Sequence, residues 1–151
     1  MINTAPLLEQ VAELIPFLET LKTNKTDLYQ PIAEGKWSAA AIISHLMYWD
    51  CYMIEMRLQG MLKGASLPEA DIDVHEYNRQ AEDYAHSGVD LEELLDEVIE
   101  TRRIILDRLA NRDLSIVFTI RGLPMTIAEY LADMIEHDRH HIRQIETFLH
   151  R

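Results

Sequence analysis

Cys51 is the one cysteine in 151 residues. That excludes an internal disulfide and any zinc site built from cysteines, and it fits a reducing compartment. Glycine and proline are scarce, with 5 of each, too few for a loop-rich sandwich or a disordered chain. Basic residues are in the minority: 14 Lys and Arg stand against 26 Asp and Glu, a formal net charge of -12. A surface this acidic repels phosphate backbones, so no nucleic-acid partner is expected. No uninterrupted apolar run reaches the about 18 residues that would read as a membrane span. The opening residues MINTAPLLEQ contain no basic stretch followed by an apolar one, so no secretory leader is expected. The expectation is one soluble, cytoplasmic domain over residues 1–151, of a size that can bury its own core.

What is present is helical periodicity. Leu7, Leu8, Val11, Leu14, Ile15, Leu18 and Leu21 recur at helical spacing over residues 6–21, and Pro16 inside this run predicts a kink. Ser38 is a good N-cap for Ala39, Ala40 and Ala41, opening a second helix that runs to about Leu62. Its apolar residues cover more than half of its circumference, which calls for a central position or a covering partner. Residues 64–90 read as a looser connection with a short helix over 76–85. Asp90 and Glu93 resemble a capping box for a third helix, whose core face runs from Leu91 to Leu109. Residues 114–125 look extended, with a turn at Arg121-Gly122. Thr126 and Glu129 form a second capping box before a fourth helix over 127–149.

The chemistry lies on that last helix. At about 100° per residue, Ile127, Leu131, Met134, Ile145 and Leu149 share a face with His141 near its middle and His137 towards its edge, while His140 points away. Two histidines four apart project to the same side and can share one ion. His45, at the edge of the apolar face of the second helix, is the natural third ligand, since bundle cores build metal sites from facing helices. The bland alternative makes all three ordinary hydrogen-bonded histidines of the core rim. Asp138 falls within the same apolar stripe, where a bare carboxylate is costly. It either holds the N–H of a ligand imidazole or reaches an arginine or solvent. Trp37 and Trp49 read as core packing rather than pocket wall, and the methionines of the second helix read as core. Ser44 and Ser115 have no visible base beside them.

Three stretches together carry a family resemblance: KWSAAAIISHL from Lys36 to Leu46, the extended segment ending in Pro124-Met125-Thr126, and HDRHHIRQI from His137 to Ile145. The chain resembles the DinB/YfiT-like family of metal-dependent enzymes over nearly its whole length. The resemblance implies an all-α fold, a four-helix bundle in up-down-down-up order with one long crossover. It implies metal ligands at His45, His137 and His141, one divalent ion per chain (zinc or nickel) and a homodimer. It also implies chemistry on a low-molecular-weight thiol and an electrophile, or metal-activated hydrolysis. A non-catalytic metal- or ligand-binding dimer is the alternative.

Overall fold

The structure is a computed structural model that describes residues 4–68 and 72–151. The first helical run is broken in two, α1 (Thr4–Val11) and α2 (Leu14–Leu21). The break falls at Ala12 and Glu13, four residues before Pro16, where the pyrrolidine ring would meet the carbonyl of Ala12. α3 (Ala39–Tyr52) starts as expected, with Ser38 Oγ accepting from the amide of Ala41 at 3.0 Å. It then passes through a π-helical turn, Met53–Arg57, into α4 (Leu58–Leu62).

The connection to the third long helix holds β1 (Ser66–Leu67) and α5 (Val74–Ala85). α6 spans Leu91–Leu109. β2 (Val117–Ile120) and β3 (Leu123–Thr126) form the expected hairpin around Arg121 and Gly122, both at positive φ, 54° and 76°. β1 adds to this hairpin in parallel, pairing Ser66 with Thr119. α7 (Ile127–Leu149) opens on a complete capping box of Thr126 and Glu129. The box expected at Asp90 does not form: its side chain makes no capping bond, and α6 is instead held by its packing.

The long helices assemble as the four-helix bundle, with α5 carried in the crossover and packed on α3. Among the described residues no helix is long and apolar enough to cross a membrane. The core divides into two clusters. One gathers Leu14, Leu18, Ile42, Leu46, Leu95 and Ile99, the other Val11, Met53, Leu58, Ile105, Phe118 and Leu131. Met47, Met53 and Met61 are buried as expected, but Met56 is 63% exposed, because the π turn carries it to the surface.

Candidate metal centre

Asp50 on α3, Arg102 on α6 and Asp138 on α7 each stand, in their own helix, between a residue of one core cluster and a residue of the other. All three are buried, Arg102 completely. The guanidinium donates to both carboxylates: Nε to Asp50 Oδ2 at 2.8 Å and Nη2 to Asp50 Oδ1 at 3.1 Å, then Nη1 to Asp138 Oδ2 at 2.6 Å and Nη2 to Asp138 Oδ1 at 3.2 Å. Nη1 also donates to the carbonyl of Val11 at 2.9 Å. Burial works against the Arg102 charge, and the two carboxylates outweigh it, holding its pKa above the ordinary value. Asp138 therefore takes the arginine reading. Both its oxygens are engaged by Arg102, and neither hydrogen-bonds a histidine. A carboxylate in an apolar stripe needs a partner, and the planar fork of an arginine satisfies both oxygens at once.

The three histidines do converge. The candidate ligand nitrogens of His45, His137 and His141 all lie within 4.8 Å of one another. Ring centroids are 5.5 Å apart for His45 and His137, 5.1 Å for His45 and His141, and 4.5 Å for His137 and His141. His45 is buried, His141 half-buried and His137 exposed, so the group opens to solvent along α7. Among the described residues no fourth His, Cys, Asp or Glu joins them.

Two amides that the sequence reading passed over orient the rings. Asn78 Oδ1, from α5, lies 2.8 Å from Trp49 Nε1 and 3.0 Å from His45 Nδ1. An indole nitrogen only donates, so Oδ1 is an acceptor there. His45 then carries its proton on Nδ1 and presents the lone pair of Nε2. Gln144 Oε1 sits 2.7 Å from His141 Nδ1, which frees Nε2 of that ring in the same way. Burial lowers the pKa of all three histidines below the ordinary value, that of His45 to about 4 with the nearby His141 adding to the effect. The imidazoles are thus neutral at pH 7, the form that binds metal.

His137 Nε2 and His141 Nε2 are 3.2 Å apart. Two nitrogens bound to one tetrahedral ion at about 2.0–2.1 Å stand roughly 3.3 Å from each other. The donor set, its neutral charge state and this spacing fit a divalent cation. Gln144 was legible as an i+3 neighbour of His141. Asn78 had no signal, since only the tertiary fold brings α5 against α3. If Asn78 orients a ligand, Asn78→Ala should weaken zinc binding by about 10–100-fold, measured by competition with a chromophoric chelator; an unchanged affinity would make its bond to His45 incidental.

Beside the histidines lies a cavity of about 400 Å³. His45 and His137 form one end, and Trp49, Met53, Ile120, Met125 and Met134 form its apolar walls, with Tyr130 further along α7. Trp49 is therefore a wall residue, not only core. Trp37 packs behind the site, its ring 5.3 Å from that of His45. Cys51 is half-buried against the first core cluster and lies outside this cavity.

Residues 7–145 match the family model of the DinB superfamily. The chain belongs to the DinB superfamily. No curated protein matches it. Its fold is similar to that of YfiT from Bacillus subtilis, described as a probable metal-dependent hydrolase with an unusual four-helix bundle topology. The TM-score is 0.74 at 16% sequence identity, covering 98% of this chain and 88% of that one. At that identity the likeness speaks for the fold.

Proposed function

We propose that this DinB-superfamily protein is a metal-dependent enzyme holding one divalent ion, zinc or nickel, on His45, His137 and His141. Its reaction is the transfer of a low-molecular-weight thiol to an electrophile, with hydrolysis as the variant in which water takes the thiol's place. The observation that carries this reading is the convergence of three neutral imidazoles at the end of a largely apolar cavity, with no fourth His, Cys, Asp or Glu among the described residues. Three protein ligands leave a coordination position for an exogenous group, as catalytic sites do and closed structural sites do not.

A divalent ion held there lowers the pKa of a thiol or water that shares it, supplying a nucleophile at neutral pH. The chain's own residues do the rest. Asn78 and Gln144 fix the ring tautomers, so that no proton has to be lost from Nε2 of His45 or His141 on binding. Trp49, Met53 and Met134 exclude water from one side and receive the apolar part of the electrophile.

Untagged protein should carry about one equivalent of metal by plasma mass spectrometry, lost in His45→Ala and in His137→Ala. Metal-loaded wild type should then conjugate a thiol to monochlorobimane, and the two variants should not. Wild-type protein that retains neither zinc nor nickel would remove the proposal. Bound metal without turnover over a panel of thiols and esters would favour the non-catalytic metal-binding protein.

A further inference from the structure

The cavity has a second polar end. Tyr130, Met134 and His137 line it from one face of α7, and Tyr130 precedes His137 by seven residues, about 10.5 Å along the helix. Between them Met53, Met125 and Met134 give the walls their apolar surface, alongside Asp50, Asp133 and Asp138. At the far end the phenol oxygen of Tyr130 accepts from Nη1 of Arg57 at 3.0 Å. Its own proton has no acceptor among the described residues.

Arg57 is unusual in this chain. It is half-buried, its Cζ 4.9 Å from the ring centroid of Tyr52 and 5.9 Å from that of Tyr130. No described acidic side chain stands within 4.0 Å of it, and the other arginines without such a partner, Arg108, Arg112, Arg121, Arg143 and Arg151, are all exposed. Arg102, the buried arginine, has two such partners. The backbone puts Arg57 there deliberately: it closes the π turn Met53–Arg57 and leaves helical geometry at φ -124°, ψ -42°. π turns inside α-helices concentrate at functional sites.

We propose that Arg57 and Tyr130 form a carboxylate-binding subsite, and that the ligand of this cavity is an amphipathic acid with its carboxylate at the end remote from the histidines. The inference deepens the proposed function by naming the substrate class of the same cavity. The guanidinium offers donors only, the Tyr130 phenol accepts from it and keeps its own O–H to donate, and the guanidinium fork matches a carboxylate in two bonds. Arg57 adjoins the cavity through Tyr130, and the charged groups on the lining itself, Asp50, Asp133 and Asp138, are all acids. Asp50 and Asp138 are engaged by Arg102, and together they keep an anion away from the middle of the cavity. Asp133, one turn from Tyr130, is exposed, and water and salt screen it. The orientation is thereby fixed, with the acid end on Arg57 and the reacting end on the histidines.

The test uses metal-free protein, so that neither result depends on an ion. Octanoate, whose extended length is on the order of the about 10.5 Å between the two ends, is compared with 1-octanol by calorimetry at pH 7.5. Wild type should bind octanoate about tenfold more tightly than 1-octanol. Arg57→Met and Tyr130→Phe should remove that preference, with circular dichroism reporting that both variants are folded. Equal affinity for the two probes, no binding of either, or a preference that survives Arg57→Met would overturn the proposal. Failure here leaves the histidine site standing, and failure of metal to bind leaves this subsite standing.

Discussion

Arg102→Met is expected to cost about 3–5 kcal/mol of folding stability, the usual consequence of removing one partner from a buried ion pair. The reason is what it leaves behind. Asp50 and Asp138 are 4% exposed, and each spends both oxygens on Arg102. Without the guanidinium, two carboxylates remain buried and face one another, and the Val11 carbonyl loses its donor as well. Because a domain of this size is stable by about 5–15 kcal/mol, the variant stands at the edge of unfolding. Urea denaturation of the metal-free protein followed by circular dichroism reads this directly. A loss below about 1 kcal/mol would mean that water reaches the triad.

The same argument predicts a rescue. A buried ion triad replaced as a whole by apolar residues of similar volume is often neutral or stabilising. The triple variant Asp50→Leu, Arg102→Met, Asp138→Leu should therefore recover most of what Arg102→Met loses. It should not recover metal binding in full. The triad carries more carboxylate than guanidinium, and Asp138 follows His137 directly on α7, so it favours a cation on the histidines. A triple variant that folds but binds zinc more weakly separates the two contributions.

This triad was more legible than the sequence reading allowed. Asp138 stood out as an acid in an apolar stripe, yet Arg102 occupies the equivalent place on α6, between Ile99 and Ile105, and Asp50 the equivalent place on α3, between Met47 and Met53. Three charges in three apolar stripes imply that they meet, since a buried charge needs its partner. Most features encoded within one turn of chain were readable, the Ser38 cap, the Thr126 and Glu129 box, the Arg121-Gly122 turn and the paired His137 and His141, while the Asp90 box did not form and Gln144 beside His141 was passed over. The parallel pairing of β1 with β2 and the bond from His45 to Asn78 were not, because each depends on a partner more than 30 residues away. The π turn was hidden for another reason. Its sequence, MIEMR, is ordinary helix composition, and only the Met56 and Arg57 positions in the fold betray the extra residue.

The second large effect is a dependence of metal-free stability on pH, set by His45. Burial first, and then the neighbouring His141, lower its pKa to about 4, against the opposing hydrogen bond to Asn78. In the unfolded chain the ring titrates near 6.5. Between those values the unfolded state holds the proton and the folded state does not, so stability rises with pH. The contribution is fully present above about pH 6.5 and is lost as pH falls towards 4, amounting to roughly 3 kcal/mol over the window. His137 and His141 shift in the same direction and steepen the same slope. Carboxylates titrate in the lower half of this range, so the decisive quantity is a difference: unfolding free energy of wild type minus that of His45→Gln, measured from pH 7.5 to 5. It should fall steadily as the pH is lowered. A difference that stays constant over that range would show that His45 takes up its proton as readily in the folded chain as in the unfolded one, and its neutrality at the site could no longer be ascribed to burial.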